Sequence, residues 1–204
     1  MTTTAEQILN YAQKQPEGET LSTKALLHLG SRSAIDQALS RLHRNGELLR
    51  ISRGLYVLPV RTRFGTRAPS PEKVIEGIAA ATGEEIVASG AAAANGLGLS
   101  TQVPIRLVYL TSGRTRSIQI GQQKIELRRA PLWQLIAPGR RAGEAIRALA
   151  WLGKKHASRA AEQLKPHLSH EERVALIDAR PRLPLWLAET VSNTFCETDG
   201  RANG

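Results

Sequence analysis

The sequence predicts an α+β fold in two parts, and three observations predict it. Helical periodicity dominates the first 45 residues. Two short strand-forming runs joined by a glycine-containing turn follow at once. Later, three more strand candidates give way to about sixty residues of helical pattern. Apolar residues make up 41% of the 204, enough for real cores, while aromatics are only 4%. The cores must therefore be built from Ala, Leu, Ile and Val.

In "TTAEQILNYAQKQPEG", Ala5, Ile8, Leu9 and Ala12 follow helical spacing; a threonine can cap the start, and Pro16 and Gly18 end the segment. "LSTKALLHLG" predicts a second helix with Ser22 as N-cap, an inner face of Ala25, Leu26 and Leu29, and Gly30 as its stop. "SRSAIDQALSRLHRNG" predicts a third, with Ile35, Ala38, Leu39 and Leu42 as its buried stripe and Asn45–Gly46 as terminator. "GELLRISRGLYVLP" is then a β-hairpin with Arg53 and Gly54 at its tip. Helix, helix, turn, helix and hairpin within 60 residues is the order of a winged helix-turn-helix.

Residues 61–71, "RTRFGTRAPSP", lack apolar periodicity and mark the expected domain boundary. The scheme is a winged helix over 1–62, a linker over 63–71, a mixed α/β domain with a helical C-terminal part over 72–195, and a disordered tail over 196–204. Within the second domain, Ser70 and Pro71 open a helix, "EEIVAS" is a strand and "GAAAANGLGLS" a small, closely packed helix. "IRLVYLTS", "SIQI" and "QKIELRRA" are strands, the last two joined by a tight turn at Gly121–Gln122. Four helical segments follow, in one of which Ser169 and Glu172 fit a capping box. Trp133, Trp151 and Trp186 are expected to anchor this second core.

The formal net charge of +10 points to a polyanionic partner. Residues 1–63 and 64–140 each carry +4, and 141–204 only +2, so the helical C-terminal part suits a protein partner better. On the third helix Ser33, Asp36, Gln37, Ser40, Arg41 and Arg44 recur three or four apart opposite the apolar stripe. Glutamine can pair bidentately with adenine, and arginine with guanine or phosphate. Lys24, Arg32 and Arg53 would meet the flanking backbone of double-stranded DNA. Asp36 repels phosphate and suits a cap or an intrahelical partner. An ordinary solvated helix face carries the same residue types, so architecture and charge must decide between the two.

"LSTKALLHLGSRSAIDQALSRLHRNGELLRISRGLYVLP" resembles the N-terminal winged helix of the AbiEi family, antitoxins and transcriptional regulators of type IV toxin–antitoxin systems. The resemblance lies in "LGSRSAIDQALSRL" and in the R-G-x-Y wing, over about residues 5–60; the second half is similar in style only. It implies operator binding for autoregulation, a role in phage defence, and neutralisation of a nucleotidyltransferase-like toxin encoded alongside. A protein-interaction module, or a stand-alone regulator without a toxin, is the alternative.

Nothing in the sequence assembles a catalytic, metal or cofactor site. "SGRTRSIQIGQQ" lacks both the Walker and the GxGxxG spacing. The five histidines are scattered, and His167 and His170 have no third ligand at suitable spacing. Cys196, the single cysteine, has no assured base. Neither a signal peptide nor an apolar run of about 18 residues is present, so the expected location is the cytoplasm.

Overall fold

The computed structural model describes residues 2–102 and 105–196. The first elements are α1 (Thr4–Ala12), β1 (Thr20–Ser22), a 3-10 turn (Leu27–Leu29), α2 (Arg32–Arg44), β2 (Leu49–Ser52) and β3 (Leu55–Val57). Next come β4 (Val60–Thr62), β5 (Gly65–Arg67), α3 (Pro71–Thr82), β6 (Ile86–Ala88), α4 (Gly90–Gly96) and β7 (Leu107–Thr111). The remaining described elements include β8 (Arg116–Ile120), β9 (Gln123–Arg129), α5 (Arg141–Leu152), α6 (Lys154–Leu164), α7 (His170–Ala179) and α8 (Leu185–Phe195). The protein is thus α+β. No helix among the described residues is long and apolar enough to cross a membrane.

Two compact units form, and they do not divide at the expected 63–71 linker. One gathers the residues up to Glu84 together with Thr115–Leu127; the other gathers Glu85–Arg114 and the residues from Arg128 onward. The expected tail falls at its last eight positions, 197–204, outside the described residues.

In the first unit Thr3 and Glu6 build a reciprocal capping box, with the Thr3 N–H donating to Glu6 Oε2 at 2.8 Å. α1 packs on α2, and Ile8, Leu26, Ile35, Leu39, Leu42 and Leu48 are buried between them and the sheet. That sheet is antiparallel in the order β1-β3-β2, with Leu21 opposite Tyr56 and Thr20 opposite Val57. Side chains alternate along a strand. Leu21 and Tyr56 therefore face the α1/α2 core, while Thr20 and Val57 face the other way.

That second face is covered too. α3 lies against β1, where the Thr20 hydroxyl donates to the Gly77 carbonyl at 3.1 Å, and β8 packs against β2. Ile51 and Val57 are buried there although neither belongs to the α1/α2 cluster.

The expected second α-helix is replaced by β1, a single helical turn and the 3-10 turn. Ser22 does act as a cap, accepting from the Ala25 N–H at 3.2 Å, but Ala25 is exposed and only Leu26 is fully buried. Seven residues between Ser22 and Gly30 are too few to offset the cost of nucleating a helix. The expected linker is also structured. Thr62 and Gly65 pair across a two-residue turn at Arg63–Phe64, making β4–β5 a small hairpin. Glu17 ties it down, accepting from Arg67 at 2.9 Å and from the Ser70 N–H at 3.0 Å. The Arg67 hydrogen bond is the main reason that the Glu17 carboxyl sits below its usual range, and the Ser70 N–H adds to it.

The second unit is built around α5, buried on almost every side by α4, α6 and α7. Ala142, Ala145, Ile146, Leu149, Ala157, Leu176, Leu187 and Phe195 form its core, and the abundance of alanine lets the helices approach closely. β6 and β7 pair antiparallel, with Val87 opposite Leu110. Ser169 caps α7, but Glu172 does not complete a capping box. Its carboxylate takes the Ala142 N–H at 2.7 Å, joining α7 to the start of α5. Trp133 and Trp186 pack against the core as expected, whereas Trp151 is 46% exposed.

Candidate nucleic-acid interface

α2 begins because Ser31 accepts from the Ala34 N–H at 3.3 Å, and it ends in Asn45–Gly46, with Gly46 at φ +76°. Its four buried residues are Ile35, Ala38, Leu39 and Leu42. At about 100° per residue, Ser33, Gln37, Ser40 and Arg44 point directly away from that stripe. Arg41 lies on one flank of this outward row, and Arg32 with Asp36 on the other. Lys24, Arg32, Ser33, Gln37, Ser40, Arg41, Arg44 and Arg53 are all exposed.

The flanks differ electrostatically. Asp36 accepts a hydrogen bond from the Thr23 hydroxyl, which ties α2 to the turn carrying Lys24. It also lies 3.9 Å from the Arg32 guanidinium, an exposed i,i+4 pair that binds weakly. Asp36 is therefore a structural partner within an otherwise cationic face. Gln37, Ser40, Arg41 and Arg44 line a shallow groove whose other wall is Thr2–Thr4, at the start of α1.

Arg53 stands at the tip of the β2–β3 hairpin. Ser52 pairs with Leu55 across the Arg53–Gly54 turn, and Gly54 takes φ +74°, a left-handed conformation that favours glycine. The register slips between Arg50 and Ser52, a bulge that twists the hairpin.

Arg50 is a further cation that helical period and hairpin pattern do not single out. It is exposed on β2, and its Nε donates to the Ser52 carbonyl at 3.3 Å, so it adds a cation beside Arg53. The signal was its exposed position between Leu49 and Ile51. Nor do they single out Arg63 and Phe64 at the tip of β4–β5. Phe64 is 85% exposed, with the Arg63 guanidinium 4.6 Å above its ring. His43 belongs to the structure rather than to this face, since its Nδ1 lies 3.2 Å from the Leu48 carbonyl.

The chain belongs to a family of unknown function (DUF6088), which matches residues 7–176. No curated protein matches it.

Proposed function

We propose that this member of the family is a sequence-specific DNA-binding regulator whose first unit is a winged helix-turn-helix. The observation that carries the reading is the α2 face. Ser33, Gln37, Ser40, Arg41 and Arg44 stand exposed on it, over a helix rigidly seated by four buried residues. The order α1, β1, turn, α2, β2, β3 with the sheet order β1-β3-β2 supports it, as does the net charge of +10. In this reading the middle helix of the motif has shrunk to the turn that Ser22 caps, and the Thr23–Asp36 bond holds that turn against α2.

A major groove about 12 Å wide admits one helix, and a recognition helix reads bases with its N-terminal residues. Ser33 and Gln37 occupy those turns. Gln37 paired bidentately with an adenine would supply about 1–3 kcal/mol of discrimination. Arg41 and Arg44, nearer the end of α2, meet phosphates, and the β2–β3 hairpin carries Arg53 and Arg50 to the flanking backbone. No catalytic step is assigned to the chain.

The resemblance over residues 5–60 extends the proposal to the antitoxin of a type IV-like toxin–antitoxin module, one that represses its own operon. The second unit then meets a nucleotidyltransferase-like toxin. One variant of the full chain separates the two roles, because all its changes lie on exposed side chains of the first unit. Arg41→Ala/Arg44→Ala/Arg53→Ala is expected to stop shifting a duplex from upstream of the protein's own reading frame. The same variant is expected still to restore growth when co-expressed with the neighbouring gene product. An undiminished gel shift would remove the α2 face from DNA binding. Loss of growth rescue along with the shift would mean that protection works through repression.

A further inference from the structure

Arg147 is the most anomalous charge in the second unit. It sits midway along α5 and is only 3% exposed. Among the described residues its guanidinium makes a single hydrogen bond, from Nη1 to the Gln134 carbonyl at a long 3.4 Å, and its Nε has no partner. Among the described residues no carboxylate forms an ion pair with it; Glu144, one turn earlier, acts on it only at longer range. Burial pushes the Arg147 pKa down, against the opposing pull of Glu144. A guanidinium carries five donors in a planar fork, and one taken out of water is normally paired.

Arg147 borders a recess of about 280 Å³, lined also by Ser89, Val108, Leu110, Arg128 and Trp151. Trp151 is one turn beyond Arg147 on the same helix, and its exposed ring forms part of the wall instead of joining the core. The recess is held open by close backbone packing. A Cβ on Gly90 would come within 2.5 Å of the Arg147 carbonyl oxygen and 2.6 Å of the Trp151 Cβ, so α4 rests directly on α5.

We propose that this recess binds a small molecule with an oxyanion head on a short apolar body, with Arg147 as the counter-charge. The guanidinium fork fits a planar carboxylate or two phosphate oxygens bidentately. Val108, Leu110 and the Trp151 indole receive the apolar part. The volume lies at or below the lower end of ordinary ligand pockets, which limits the body to about one ring. The site belongs to the second unit alone and is independent of DNA reading by the first.

The test follows the three indole N–H resonances of the full-length, nitrogen-15-labelled protein, with Trp151 identified by the signal lost in Trp151→Phe. Benzoate and phenyl phosphate present the same ring with the two candidate heads, and benzamide is the neutral control, all at matched ionic strength. One of the two anions is expected to shift the Trp151 signal saturably, at least about tenfold more tightly than benzamide. The preferred anion identifies the head. Arg147→Met, which keeps an unbranched apolar stem without the charged head, is expected to abolish that preference. Ala91→Leu, which narrows the recess and leaves Arg147 in place, is expected to abolish binding even if Arg147→Met fails to fold. The proposal is overturned if neither anion moves the Trp151 signal, if benzamide matches them, or if binding survives Ala91→Leu unchanged.

Discussion

A polypeptide ending at Arg63 is expected to show no cooperative unfolding transition, although it contains α1, α2 and the whole β1-β3-β2 sheet. The α1/α2 core covers one face of that sheet. The other face depends on α3, which follows the cut, and on β8, which follows it by more than fifty residues. Truncation would expose Ile51 and Val57, which are 2% and 0% exposed in the intact unit. Each such side chain contributes roughly 1.5–3 kcal/mol on burial, so about 3–6 kcal/mol is lost from these two alone. A segment of this length has a total stability of only about 3–9 kcal/mol at typical values per residue. Circular dichroism during a thermal melt reads the outcome directly. A sigmoidal melt with native helix content would show that the α1/α2 core is self-sufficient and that the second face is dispensable.

Gly77→Ala is expected to destabilise the first unit strongly. The added Cβ would lie 2.3 Å from the Gly18 carbonyl oxygen and 3.3 Å from the Thr20 nitrogen, both backbone atoms. Gly18 cannot give way easily. It holds φ +87°, and a Cβ of its own would lie 2.4 Å from the Lys73 carbonyl carbon. α3 must therefore move off β1, stretching the buried Thr20–Gly77 hydrogen bond and opening the cover over Val74 and Ile78. Overpacking of about 1–3 kcal/mol and a lost hydrogen bond of about 1 kcal/mol together approach 4 kcal/mol. In a unit of about 100 residues that is a fall in Tm of roughly 15 °C or more. Gly96→Ala is the control, since nothing lies within 4 Å of its Cβ position, and it is expected to melt close to the parent. A Gly77→Ala protein that melts with the parent would mean that α3 does not bear on β1 as closely as described.

The legible parts of this protein were those where period and capping agree. On α2, Ile35, Ala38, Leu39 and Leu42 are the residues that the 3.6-residue period selects, and they are the ones buried. Ser70 and Pro71 open α3, and Gly121 turns β8 into β9, because each residue has a local conformational reason for its place. Leu26 and Leu29 misled because helical spacing over seven residues cannot distinguish a helix from one turn and a 3-10 turn. The β4–β5 hairpin was illegible for the opposite reason. It is exposed along nearly its whole length, so it carries no alternation, and Glu17, fifty residues before Arg67, holds it in place.

The pairing of Thr115–Leu127 with the first unit is a long-range choice to which no local signal points. Among the candidate site residues, exposure along α2 followed from the same period that buried its opposite face. Arg147 escaped because α5 is buried nearly all round, so a charge within it reads as a solvent face.

The salt dependence of duplex binding bears most directly on the claim that the α2 face meets DNA. The full-length protein and its Arg41→Ala/Arg44→Ala form would be titrated onto the same upstream duplex over a range of salt concentrations. Each phosphate contact contributes about 0.9 to the slope of log K against log salt. The double variant is therefore expected to bind more weakly, with a slope shallower by about two units. Identical slopes in the two proteins would contradict the account, because they would mean that neither arginine releases a counterion from the duplex.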